Sequence, residues 1–224
     1  MPTVSIPPAA RALLDSPTLP RHLRALQETM AQEAARREHF LEALSPDEKS
    51  EFINGEVIVH SPARHRHNDV TARLVALLKP YVTLHDLGTV VAEKALISLT
   101  RNDYEPDVCF FGREKTSEIT PDTLRYPAPD LVIEVLSPST EVRDRGVKLE
   151  DYAAHGVAEY WLLDPDAETA EVYVLDEESE TYALRLKSDH GTLASVAVEG
   201  FAVPLRAAFD DAENLAALRS LLAA

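Results

Sequence analysis

Glu134 is the residue that most resists a purely structural explanation, because it is a carboxylate in the middle of Leu131-Val132-Ile133-Glu134-Val135-Leu136. The run reads as a buried strand, and an unpaired carboxylate inside such a strand is costly to bury. Its partner is therefore a lysine, a backbone donor or a metal ion. A second carboxylate on a neighbouring strand favours the metal, since hard cations take several oxygen ligands. Asp107 supplies one: it follows Pro106 and opens the apolar run Val108 to Phe111, which places it at a strand end facing the same cleft. Two carboxylates on adjacent strands plus a backbone carbonyl compose a magnesium-type site. Asp130 follows Pro129 but stands only four residues before Glu134 on one strand. Ligands are expected from different segments, so Asp130 is assigned to a turn or strand start.

The surrounding pattern shows what must position these groups. Phe52-Ile53-Asn54-Gly55-Glu56-Val57-Ile58-Val59 predicts a hairpin, because Asn-Gly accepts the positive φ angles of a tight turn. After Ser61-Pro62, Val70, Leu74, Leu77 and Leu78 recur at helical spacing up to Pro80, where the helix is expected to stop. Strands are expected at 88–99, 107–111 and 131–136. A helix from Thr140 to His155, ended by Gly156, then leads to a strand over 159–163. Strands at 170–175 and 181–186 form a hairpin across the acidic Asp176 to Glu180, and a terminal helix covers 212–222. In the N-terminal region, Pro2, Pro7, Pro8 and Pro17 predict a loosely ordered arm over 1–19. Leu23, Leu26, Met30, Ala34, Phe40 and Leu41 predict a helical extension within 20–50, ahead of the main domain at 51–224.

Composition sets bounds. A chain of 224 residues with 45% hydrophobic and 27% charged residues has enough apolar content for one sizeable core. It has no apolar run of the roughly 18 residues that a spanning helix needs, so a cytoplasmic location without membrane contact is expected. The single cysteine, Cys109, cannot form an internal disulfide and sits in an apolar run. The net charge of -16 argues against nucleic acid, whose partners usually carry a basic footprint. The charge is uneven, however. Asp164 to Glu180 holds acidic residues and no Lys or Arg, whereas Arg64, Arg66, Arg73 and Lys79 lie together and leave room for a local basic surface.

Beyond single residues, several motifs occur in a familiar order. They are Glu105-Pro106-Asp107, Pro129-Asp130-Leu131-Val132-Ile133-Glu134-Val135-Leu136-Ser137-Pro138-Ser139-Thr140, then Lys148, Tyr152, Gly156-Val157 and Glu159-Tyr160-Trp161. On these, the chain from about Glu51 to Leu175 resembles the Uma-two restriction endonuclease family of the PD-(D/E)XK nuclease superfamily. The resemblance implies an α/β fold with a restriction-endonuclease-like core, a mixed central β-sheet flanked by helices, to which the N-terminal helical extension read from the 20–50 pattern is added. It implies Asp107 as the central metal-binding aspartate, Glu134 as the acidic member of the (D/E)XK element and the carbonyl of Val135 as a third ligand. The lysine position of that element is Leu136, a departure from the plain pattern. Lys148 is the substitute the resemblance suggests, on a helix face shared with Asp144 and Tyr152. Glu56 matches an acidic residue of the family's early hairpin and is expected to orient Lys148 or reach a second metal.

His67, beside Arg64 and Arg66 at the start of its helix, is a candidate to meet a phosphate or position the attacking water. The expected activity is phosphodiester hydrolysis in DNA with magnesium or manganese as cofactor. The rival expectation is a nuclease-like fold without catalysis. It would serve as a binding or assembly module, dimerising through a hydrophobic surface or the acidic hairpin.

Overall fold

In the computed structural model, residues 8–45, 48–176 and 178–223 are described. Two helices come first, α1 (Pro8–Leu14) and α2 (Leu19–Glu42). Within the expected arm, residues 8–14 are helical, and residues 1–7 lie outside the described residues. The Asn54-Gly55 turn joins β1 (Ser50–Ile53) to β2 (Glu56–Val59), with φ of 50° and 86° at its two central residues, as a tight two-residue hairpin demands. Next comes α3 (His65–Leu84), which runs through Pro80 instead of stopping there. Proline removes one helical hydrogen bond, but Leu77, Leu78, Tyr81 and Val82 are buried on both sides of it and hold the last turn in place.

The expected strand at 88–99 is two strands, β3 (Gly88–Ala92) and β4 (Leu96–Ser98). Between them Glu93 and Lys94 take φ of 55° and 52°, a corner that sends the chain from one sheet into another. The chain then passes through β5 (Asp103–Tyr104), β6 (Val108–Gly112), α4 (Arg113–Thr116), β7 (Arg125–Tyr126) and β8 (Leu131–Val135). The single helix expected from Thr140 to His155 is two short ones, α5 (Glu141–Asp144) and α6 (Val147–Ala154). They part at Gly146, whose ψ of -104° is not helical. The remainder is β9 (Glu159–Asp164), β10 (Thr169–Asp176), β11 (Thr181–Ser188), β12 (Thr192–Ala194), β13 (Ala202–Pro204), a 3₁₀ turn (Leu205–Ala208) and α7 (Asp211–Ala223).

The larger sheet has the order β11-β10-β9-β8-β6-β3 and is mixed, with β8 and β9 parallel and its other neighbours antiparallel. A second sheet runs β2-β1-β5-β4-β7. Strand alternation divides the core. Val108, Phe110, Leu131, Ile133 and Val135 face a cluster shared with α3 and α7. Cys109, Phe111 and Val132 face the opposite cluster, with Ile97 and Tyr104 of the second sheet and Tyr152 of α6. By the same alternation, Asp107 and Glu134 lie on that second face. This α/β arrangement of mixed sheets flanked by helices, with a helical extension in front, is the expected fold class.

Candidate active site

Asp107 sits where the chain leaves β5 for β6, at the junction of the two sheets, and Glu134 lies one residue from the end of β8. Only 3% and 4% of their surfaces are exposed. Register pairs Val108 with Ile133, so the two carboxylates occupy adjoining strand positions, and the Val135 N–H donates to Asp107 Oδ2 at 2.8 Å. Val135 therefore meets the aspartate through its backbone.

Lys148 reaches the same place from the first turn of α6. Its Nζ lies 2.9 Å from Glu134 Oε1, 2.9 Å from Glu51 Oε1 and 3.1 Å from Asp144 Oδ1, and the residue is 2% exposed. The break at Gly146 lets Asp144, at the end of α5, and Lys148 approach the strand ends together. Glu51 is the residue that sequence reasoning missed. It lies on β1, fully buried, accepting hydrogen bonds from the Glu105 N–H at 3.0 Å and sharing 3.0 Å with His60 Nε2. Glu56, the acid expected in this role, stands across the hairpin opposite Ile53 and is exposed at the head of β2. The structure does not bring it to Lys148. Glu51 and Glu56 flank the same turn, and it is the burial of Ser50–Ile53 in the folded chain that separates them.

The mouth of the site is built from Lys49 and His67. Lys49 Nζ is 2.9 Å from Asp107 Oδ1 and 3.7 Å from Glu93, and His67 Nε2 is 3.2 Å from Asp107 Oδ2. Lys49 carried no sequence signal, because it adjoins the helical extension and not a recognisable motif. Arg64 precedes α3 and is exposed, and Arg66 pairs with Asp166. Arg73 is bound by Asp211 at 2.7 Å. The arginines thus lie around the start of α3 without entering the cluster, and acidic partners offset part of the expected basic surface. Asp130 is held at the start of β8 by the Gly112 N–H at 2.7 Å and by Lys115 at 2.6 Å, away from Glu134.

Electrostatics distinguish the parts. Burial pushes Glu134 well above the usual carboxylate range, and the charges of Asp144, Asp107 and Glu51 add to that push against the pull of Lys148. Burial alone would lower Lys148, but three surrounding carboxylates raise it well above its ordinary value. The surrounding carboxylates thus act on both groups, adding to the effect of burial at Glu134 and overcoming it at Lys148. Burial also opposes ionisation of Glu51, yet Lys148 and His60 hold it down to about 2. Asp107 is lowered in spite of burial by His67, Lys49 and the Val135 N–H, and its charge in turn raises His67.

Among the described residues, no three His, Cys, Asp or Glu side chains converge at metal-ligand spacing. The donor set nevertheless suits a hard cation that keeps most of its waters and takes one or two carboxylates. Glu51, Asp107, Glu134 and Asp144 face two lysines, an excess of carboxyl groups over cations. Lys148 donates to Glu134 Oε1, and the buried Asp144 Oδ1 meets the same ammonium as an ion pair at 3.1 Å without a well-aligned hydrogen bond. A divalent ion beside Asp107 and Glu134 would balance that excess.

Comparison with known proteins gives the family of the chain. The family described as Uma2, "Putative restriction endonuclease", matches residues 37–206, most of the chain. The chain belongs to the Uma2 family. The uncharacterized protein slr1290 of Synechocystis sp. is 33% identical over 121 residues, covering 52% of this chain and 60% of that protein. The matched stretch thus spans less than two thirds of that relative. A crystal structure from Anabaena variabilis, described as "a putative nuclease belonging to DUF820", superposes with a TM-score of 0.66. It covers 77% of this chain and 96% of its own at 19% identity, a likeness of fold. Uma2 membership places the chain in a family of nuclease type, and such folds generally work with divalent metals. No helix among the described residues is long and apolar enough to cross a membrane.

Proposed function

We propose that the protein is a magnesium- or manganese-dependent endonuclease that hydrolyses phosphodiester bonds in DNA, with Asp107 and Glu134 as metal ligands and Lys148 as the catalytic cation. The observation that carries this reading is the pair of buried carboxylates at adjoining strand ends, within a cluster of four carboxyl groups that share two lysines. The carbonyl of Val135 is the third ligand in this reading. A bound divalent ion would polarise a phosphoryl oxygen and lower the pKa of a water.

The chain's own residues do the rest. Glu51 and Asp144 fix the Lys148 ammonium at 2.9 and 3.1 Å, so that it stays charged and aimed at Glu134 and the developing negative charge of the phosphoryl group. Lys49 neutralises Asp107 at 2.9 Å and is only partly covered, which leaves it able to turn toward a phosphate at the mouth. His67 holds Asp107 Oδ2 and lies where an entering phosphate or attacking water would pass, with Arg64 and Arg66 as outer phosphate contacts. Incubating supercoiled DNA with the protein and magnesium or manganese tests the reading. Nicking or linearisation by the parent, absent in Asp107→Ala and Glu134→Ala, is expected. A parent that binds metal but cuts neither double- nor single-stranded DNA would contradict it.

The charge of -16 favours a second reading, a nuclease-like fold that binds or assembles without cutting. Metal binding with no turnover on any nucleic acid would select it.

A further inference from the structure

The helix α2 carries one stripe with two environments. From Leu19, alternating steps of four and three residues reach Leu23, Leu26, Met30, Glu33, Arg37 and Phe40. That alternation is the spacing of a coiled-coil seam, narrower than the face a helix lays on a globular core. The last three positions meet the chain's own body. Glu33 accepts hydrogen bonds from Arg101 at 2.8 and 2.9 Å, Arg37 donates to both oxygens of Asp103, and Phe40 packs on Phe52 at 5.7 Å between ring centres. The earlier positions have no such cover: Leu23, Leu26 and Met30 are 51%, 55% and 49% exposed, and every residue from Pro20 to Gln32 is exposed.

We infer that this free half of α2 is a self-association site, where the α2 helices of two copies of this chain pair antiparallel as a short coiled coil. Charge selects the second copy as the occupant. The seam is flanked by Pro20, His22, Gln27 and Thr29, none of them formally charged, and residues 19–32 hold only Arg21, Arg24 and Glu28 as charged groups. In a chain of net charge -16, this is a surface on which two copies meet without the mutual repulsion of their acidic faces. A strongly charged partner would find no complement along the seam.

Sterics select the orientation. The body covers the same stripe at Glu33, Arg37 and Phe40, so a parallel partner would drive the two bodies together at that level. The antiparallel arrangement overlaps only the free halves and sets Leu23 of each copy beside Leu26 of the other. The segment precedes residues 37–206, the part shared with the Uma2 family, so the inference does not depend on the proposed catalysis.

Sedimentation equilibrium of the full chain at concentrations from about 1 to 100 µM tests this inference. The parent is expected to approach twice the 24.7 kDa of one chain as concentration rises. The Leu23→Glu/Leu26→Glu variant is expected to weaken association by about 100-fold or more while keeping the parent's thermal midpoint, because both side chains are exposed. Leu124→Glu, at another exposed leucine, should leave association unchanged. A parent that stays monomeric at about 100 µM would overturn the inference and assign the stripe to another partner. So would a double variant that dimerises as tightly as the parent.

Discussion

Glu134 on β8 and Glu171 on β10 are both buried carboxylates on the same face of the same sheet, yet their surroundings are opposite. Glu171 is met by Arg145 at 2.7 Å, Lys187 at 2.9 Å and the Tyr173 hydroxyl at 2.6 Å, and these partners outweigh burial to hold it at about 2. Glu134 shares a single lysine with two further acids and is pushed upward. A satisfied buried acid ties strands together, whereas one kept short of cations is poised to receive one. Glu159 belongs with Glu171: it is satisfied by the Trp161 indole N–H at 2.8 Å, the Ser195 hydroxyl and the N–H groups of Val196 and Ala197.

The largest expected effect breaks the comparison at its functional end. Glu134→Gln is expected to lower metal-dependent DNA cleavage by about 10³-fold, and Glu171→Gln to leave it within a factor of a few, as measured by plasmid nicking rates. Equal losses in both would remove the distinction.

Lys148→Met is expected to cost about 3 to 5 kcal/mol in urea unfolding, because Glu51, Glu134 and Asp144 would be left buried without their shared cation. Added manganese should recover part of that loss in Lys148→Met and none of it in Lys148→Met/Glu134→Gln. For Glu171→Gln the loss should be about 1 to 2 kcal/mol, since Arg145 and Lys187 are exposed enough to return to water.

The pH dependence sharpens the contrast, because the two shifts have opposite signs. Glu171 has a folded pKa below the ordinary 4.5, so its stabilisation is present above about 4.5 and lost as pH falls toward 2. Glu134 has a raised folded pKa, so ionising it costs stability as pH climbs from 4.5 through that raised value. Urea midpoints across pH should therefore show Glu134→Gln gaining on the parent as pH rises and Glu171→Gln losing most of its difference in acid. The smallest effect is expected at Glu56. Glu56→Ala, at an exposed strand end, should change stability by no more than about 0.5 kcal/mol and leave cleavage intact.

Much of this arrangement was legible in the sequence because apolar context made certain charges conspicuous. Glu134 within Val-Ile-Glu-Val-Leu and Asp107 before Val-Cys-Phe-Phe stood out for that reason, and the Asn-Gly turn and the 159–163 strand followed from local chemistry. Glu51 did not stand out. It and Glu56 flank the same turn, and only the hairpin's packing against β5 decides which of them is buried. Lys49 reaches Asp107 across 58 positions, a contact that no local pattern encodes. The split between β3 and β4 was hidden because Glu93 and Lys94 adopt positive φ without glycine, and the split between α5 and α6 because Gly146 breaks an otherwise helical run.

The most direct measurement is calorimetric titration of manganese and magnesium into the parent, Asp107→Ala, Glu134→Gln and Glu171→Gln. Binding by the parent and Glu171→Gln, with loss in the other two, is the predicted result. Equal affinity in all four would contradict the assignment of Asp107 and Glu134 as the metal-binding pair.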